Sequence, residues 1–106
     1  MRSLVLAFAA VLSLAKVATA QEITTTGEFL LFCKSDPAGC EEEIDIIDFL
    51  LVMDETVTDY CAGSEGPDLA QTRTVMIEWL DAHPEIHGEP YEPITYDLVR
   101  SMFPCS

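Results

Sequence analysis

The chain has 106 residues, of which 49% are hydrophobic, and its 5 basic and 19 acidic residues give a formal net charge of −14. This charge repels nucleic acid and anionic lipid and therefore excludes both as partners. The length allows one small domain, in which covalent cross-links commonly supplement a marginal hydrophobic core.

The first 20 residues have the pattern of an export leader that is cleaved during secretion. Arg2 supplies positive charge, residues 4–14 form an apolar core, and residues 18–20 are a small-x-small cleavage site. Lys16 interrupts an apolar stretch that is already shorter than the roughly 20 residues of a membrane-spanning helix. We expect a mature chain of residues 21–106 that carries three basic and 19 acidic residues, a net charge of −16, and does not bind membranes.

Two helices are predicted in the first half of the mature chain. The first runs from Thr26 to Lys34, and Pro37 and Gly39 predict a loop after it at residues 35–39. The second runs from Glu41 to Ala62, where a following glycine suits a left-handed terminator. Its main apolar stripe, which we predict to face the core, consists of Ile46, Phe49, Leu50, Met53, Val57, Tyr60 and Cys61.

A second apolar strip lies on a different side of the same helix and consists of Ile44, Ile47 and Leu51. One interpretation is that the first or fourth helix covers it, as is common for central helices. The other is that it contacts a second molecule, which makes these three residues candidates for a dimer interface.

The second half predicts two further helices. Pro67 suits the first position of a helix that runs to Ala82, with Leu69, Met76 and Leu80 along its packed face. Residues 85–93 are rich in proline and glycine and predict a loop. The fourth helix is predicted from residue 94 to residue 103. Because no strand-length segment alternates with a period of two, we predict an all-α fold, a compact bundle of about four helices.

Four cysteines, Cys33, Cys40, Cys61 and Cys105, lie downstream of the leader and predict two disulfides. A zinc site is the alternative, but the paired C-x-x-C spacing of such sites is missing. In an up-and-down bundle Cys33 and Cys40 share one pole, and an unbroken second helix separates Cys40 from Cys61 by about 30 Å. Since that distance is too long for a disulfide, the pairs Cys33–Cys40 and Cys61–Cys105 are favoured.

The sequence contains no recognisable catalytic motif. It has no Gly-x-Ser-x-Gly turn, and cysteines in disulfides cannot act as nucleophiles, so we expect no enzyme activity. His83 and His87 are four residues apart near Asp81 and Glu85, but Pro84 argues against a helical metal site there. The acidic residues 41–48 lack the glycine turn of a calcium loop and predict a solvated face. We expect neither a metal nor a cofactor.

A family pattern runs through most of the mature chain. It includes the leucine pair shortly before Cys33, the aromatic-led segment 49–54 that ends in an aspartate, and a series in the second half. That series is Cys61, Gln71, Trp79-Leu80, His83-Pro84 and the closing Phe103-Pro104-Cys105. The pattern resembles the Rap/Tai family of small exported helical proteins, whose characterised members are immunity proteins of bacterial type VI secretion systems. The chain departs from it at Leu51, where a small residue is usual, and at Cys40, because the family's second cysteine is close to position 45.

The resemblance implies a periplasmic, non-enzymatic binding protein that occludes a secreted peptidoglycan amidase. It also implies a homodimer, for which Ile44, Ile47 and Leu51 are the candidate residues. For partner binding we consider the exposed loop at residues 85–93. Tyr91 is either its aromatic anchor or a cover for the edge of the core. The partner-binding candidates are Glu85, His87, Tyr91 and Glu92.

Two other functions fit the same features. An acid-stress chaperone of the Hde type is also small, helical, exported and disulfide-bonded, and protonation of its carboxylates would collapse its charge and expose apolar faces. The third hypothesis is an exported member of the Rap/Tai family that has no toxin partner.

Overall fold

A computed structural model of the protein describes residues 22–106, so the predicted leader and its cleavage site lie outside the described residues. Within this range the chain forms four α-helices and one short 3₁₀ helix, which confirms the predicted all-α fold. The elements are α1 (Thr26–Ser35), α2 (Pro37–Met53), α3 (Leu69–Asp81), the 3₁₀ helix (Pro84–Ile86) and α4 (Tyr91–Met102). None of the helices in residues 22–106 is long and apolar enough to cross a membrane.

A single residue separates α1 from α2, where the sequence predicted a five-residue loop. Asp36 ends α1 and caps α2, because its carboxylate accepts a hydrogen bond of 3.0 Å from the backbone nitrogen of Gly39. Pro37 occupies the first turn of α2, where a proline costs no hydrogen bond. The predicted start of α2 at Glu41 was therefore wrong, because Pro37 opens the new helix.

The other end of α2 was also predicted wrongly. The helix ends at Met53, and Asp54 is extended, with φ −82° and ψ 107°. The Asp54 carboxylate accepts hydrogen bonds from the backbone nitrogen of Thr56 at 3.0 Å and from its hydroxyl at 2.7 Å, a local turn that competes with helix continuation. Residues 54–68 are irregular, and Gly63, at φ 95°, lies in a turn of this segment.

The later helices begin close to their predicted positions. α3 starts at Leu69, because the Asp68 carboxylate caps it through a 3.0 Å hydrogen bond from the backbone nitrogen of Gln71. α4 starts at Tyr91, three residues earlier than predicted, and Pro93 lies in its first turn. The predicted loop at residues 85–93 is therefore shorter, and part of it is the 3₁₀ helix.

The core is built by side chains from all four helices, and it reverses the predicted orientation of α2. The dimer candidates Ile44, Ile47 and Leu51 are 0%, 7% and 1% exposed in a single chain, covered by α1, α3 and α4. The dimer assignment is corrected accordingly, and the alternative that neighbouring helices cover the strip is the one observed. The buried apolar residues are Phe29, Leu30, Cys33, Cys40, Ile44, Ile47, Leu51, Met76, Leu80, Leu98 and Val99.

Both predicted disulfides, Cys33–Cys40 and Cys61–Cys105, are present. Cys33–Cys40 is fully buried and fixes α1 against α2. Cys61–Cys105 is exposed and ties the irregular segment to the end of α4, next to a 2.7 Å hydrogen bond from the backbone nitrogen of Cys61 to the carbonyl of Phe103.

Candidate functional site

The outward side of α2 carries an exposed apolar stripe, which we call the α2 face. Its four residues recur at helical spacing, so they lie on one side of the helix. A contiguous exposed stripe of this kind marks an interaction site more often than a scattered apolar residue does. The α2 face consists of Ile46, Phe49, Leu50 and Met53, which are 50%, 61%, 50% and 61% exposed.

Every charged side chain of α2 is a carboxylate. α2 contains five carboxylates at positions 41–43, 45 and 48, and no basic residue. Two of them have partners within the chain: Glu41 pairs with Arg73 at 3.1 Å, and Asp48 accepts a 2.6 Å hydrogen bond from the Tyr60 hydroxyl. Glu42 and Asp45 remain exposed on the side that carries the face.

An open cleft of about 400 Å³ lies beside the α2 face, between α2 and the turn at residues 63–66. Phe49 belongs to both surfaces. Gly66 brings the turn close to α2: its φ is 80°, and a Cβ there would lie 3.3 Å from Asp48 Oδ2. The cleft is lined by Asp45, Asp48, Phe49, Val52, Gly63, Ser64, Glu65 and Gly66.

Hydrogen bonds between side chains fix the irregular segment that forms the far wall of the cleft. Burial, and then the Asp48 carboxylate, raise the pKa of Tyr60, so the Tyr60 hydroxyl stays protonated and donates to Asp48. The Tyr96 hydroxyl of α4 donates to Asp54 Oδ2 at 2.8 Å. Hydrogen bonds from Thr56, and then from Tyr96, lower the pKa of Asp54. The segment is therefore held at both α2 and α4.

A charge pair supports the same segment. Arg100 Nε lies 2.7 Å from Asp59 Oδ1, and this hydrogen bond lowers the pKa of Asp59. Both side chains are accessible to solvent, so the pair contributes little stability by itself. Together with the exposed disulfide it keeps the segment attached to α4.

The structure places the predicted binding residues of the 85–93 segment in different environments. The Tyr91 ring stacks on the buried Phe29, with centroids 5.1 Å apart and planes 11° apart. His87 Nε2 lies 2.7 Å from the carbonyl of Leu80, so that nitrogen carries the proton. Glu85 and Glu92 are exposed. The contact of Tyr91 is the one expected of a residue that covers the core edge, while a binding role for this segment stays a prediction.

His83 follows α3 and contacts its last turn. The His83 ring stacks on Trp79 with centroids 3.9 Å apart, and its Nδ1 lies 2.7 Å from the Trp79 carbonyl at the end of α3. In the part of the chain that the structure describes, no three His, Cys, Asp or Glu side chains converge as a metal site.

The fold and this surface define a small, disulfide-bonded helical domain with an exposed apolar face on α2. The apolar periodicity of the sequence predicts, wrongly, that the α2 face lies in the core. The signal that identifies the true core side is Cys40, which shares a helical face with Ile44, Ile47 and Leu51. Comparison with protein families, curated proteins and solved structures finds no match to this chain.

Proposed function

We propose that the chain is a periplasmic, non-enzymatic binding protein that resembles Rap/Tai immunity proteins and blocks a secreted peptidoglycan amidase by steric occlusion. The observation that carries this proposal is the exposed α2 face on a doubly disulfide-bonded domain. The aromatic-led segment 49–54, on which the resemblance partly rests, contains three of the four residues of that face and ends at Asp54, the residue that caps the C-terminal end of α2.

Exposed apolar side chains favour association. Complete burial of a large apolar side chain contributes about 1.5–3 kcal/mol, and the half-exposed side chains of the α2 face would contribute about half of that each, less the cost of ordering the partners. The contacts that hold residues 54–60 pre-organise the surface, which lowers that ordering cost. A rigid acidic domain of this kind suits a partner with a complementary basic surface.

The proposal is tested by producing the chain with its own leader in cells that also export a candidate amidase encoded next to it. We expect the chain to protect the cells from lysis and to co-purify with the amidase from the periplasm. A variant without residues 2–20 should give no protection, because it stays in the reducing cytoplasm. Lysis at the same rate with and without the exported chain would contradict the proposal, and a folded chain that binds no neighbouring amidase would support a member of the Rap/Tai family without a toxin partner.

The acid-stress chaperone is the second candidate, favoured by the coexistence of exposed apolar side chains and many carboxylates. Its function would require the domain to lose order and suppress aggregation of other proteins at a pH near 2. An inert, ordered domain under those conditions would eliminate it.

A further inference from the structure

We propose that the α2 face and the adjoining cleft dock a basic amphipathic segment of a partner protein. Apolar side chains of the partner cover the α2 face, and a lysine or arginine side chain enters the cleft at residues 63–66. The inference rests on the proposed function in one respect, namely that the chain acts by binding a protein, and it names the surface and the chemistry of that partner.

The distribution of charged residues along the sequence favours a basic partner for this surface. Between Lys34 and Arg73 the sequence contains no lysine, arginine or histidine, although it contains eleven carboxylates. This stretch includes all of α2 and the irregular segment, so it forms both walls of the cleft. Among residues 22–106, basic side chains pair with this stretch at Arg73–Glu41 and Arg100–Asp59. The remaining carboxylates lack positive counterparts on their own segment, which a basic partner would provide.

The cleft has the geometry to hold the end of a cationic side chain. Phe49 presents an exposed ring on which an alkyl stem or a guanidinium group can lie. Asp48 accepts from Tyr60 through Oδ1, while its Oδ2 is the oxygen closest to Gly66. Asp45 lies on the same wall. Because Phe49 belongs to both the α2 face and the cleft, one segment of helix can contact both.

The same charges argue against a second copy of the chain on this surface. In an antiparallel crossing both facing helices bring carboxylates and no cation, because α2 contains no basic residue. A parallel crossing sets every carboxylate opposite itself. Like charges that meet in an interface oppose association, so a homodimer through the α2 face is disfavoured relative to a basic partner.

The test uses protein purified from the periplasm with both disulfides formed. Its probes are two amphipathic helical peptides of about 18 residues that share one leucine face, one with lysine and one with glutamate on the polar face. Binding is measured by fluorescence anisotropy in about 150 mM salt, where long-range attraction is screened. We expect the lysine peptide to bind and the glutamate peptide not to bind.

Matched pairs of variants distinguish peptide binding at the α2 face from nonspecific attraction of a basic peptide to an acidic protein. The double substitution Phe49→Ser and Leu50→Ser should weaken binding of the lysine peptide by about tenfold or more, whereas Leu31→Ser, which alters an exposed leucine on α1, should not. Asp45→Lys should weaken it by a similar factor, whereas Glu78→Lys, which makes the same charge change at an exposed position of α3, should leave it unchanged. Equal effects of the matched variants would overturn the inference.

Analytical ultracentrifugation of the chain without peptide measures its oligomeric state. A monomer is expected, and a dimer that the Phe49→Ser and Leu50→Ser changes dissociate would assign the surface to a second copy and overturn the inference. The proposed function can fail separately: an amidase that is blocked equally well by these variants contradicts only the inference. Conversely, peptide binding as expected without any bound amidase contradicts only the immunity function.

Discussion

Tyr91 stacks its ring on Phe29, which has no exposed surface, at the point where α4 begins. Removing the ring takes away both buried apolar area and an aromatic contact. We expect Tyr91→Ala to lower the free energy of unfolding by about 2–4 kcal/mol and Tyr91→Phe to lower it by less than about 1 kcal/mol. Urea denaturation with intact disulfides measures both. A Tyr91→Ala variant of unchanged stability would support the role of a binding anchor.

Asp54 couples stability to pH. Hydrogen bonds from Thr56 and Tyr96 lower its pKa in the folded chain, so this carboxylate stabilises the fold above its unfolded pKa of about 4. That contribution is lost as the pH falls through the lowered folded pKa. We expect Asp54→Asn to reduce stability at pH 7 and to have little effect near pH 2. Denaturation midpoints at the two pH values provide the measurement, and an equal loss at both would exclude the linkage.

At the scale of elements, two neighbouring leucines of α2 provide a matched pair. Leu51 is 1% exposed and Leu50 is 50% exposed, although both lie in the last turn of the same helix. We expect Leu51→Ala to cost about 2–5 kcal/mol of stability and Leu50→Ala less than about 1 kcal/mol. Denaturation midpoints of the two variants measure the difference. Similar losses would mean that both sides of α2 are buried.

Local signals in the sequence predicted most of the fold but not the orientation of α2. The prolines and capping residues act within a few residues of where they stand, so α1, α3 and α4 could be placed within three residues at each end. α2 has two apolar stripes, and periodicity alone does not decide which one faces the core. The buried Cys33–Cys40 bridge decides it, because it draws the side that carries Cys40 toward α1.

The end of α2 shows a second limit of local sequence reasoning. The Asp54 carboxylate lies at the negative end of the helix dipole, which is unfavourable unless it is hydrogen-bonded. One of its donors, Tyr96, lies 42 residues away on α4 and cannot be assigned from local pattern.

The predicted disulfide pairing was confirmed although α2 is shorter than predicted. The helical part from Cys40 to Met53 already spans about 20 Å, which keeps Cys40 away from Cys61.

For the whole molecule, the two disulfides differ in exposure and therefore in reactivity. Cys33 and Cys40 have no exposed surface, whereas Cys61 and Cys105 are both exposed. We expect a mild thiol reductant to open Cys61–Cys105 first, since exchange requires access to a sulfur. Alkylation followed by peptide mass spectrometry identifies the opened pair. Because this bridge closes the longer loop, its loss should lower stability by about 4 kcal/mol, an upper estimate from chain entropy. Opening of Cys33–Cys40 first would contradict the burial of that bridge.

The distribution of carboxylates through the molecule predicts its response to strong acid. The buried polar residues of the described chain are Thr26, Thr72 and Thr95, so protonation does not act inside the core. The carboxyls with lowered pKa, including Asp54 and Asp59, lie at the surface, where they hold connecting segments. We therefore expect the helical circular dichroism to persist at pH 2 while the thermal midpoint falls, because both disulfides remain closed and the aliphatic core is uncharged. Circular dichroism across pH 7 to pH 2, with an aggregation assay on an unrelated client protein, tests this. Retained helices without protection of the client would favour a binding protein, whereas lost order with protection would favour the acid-stress chaperone.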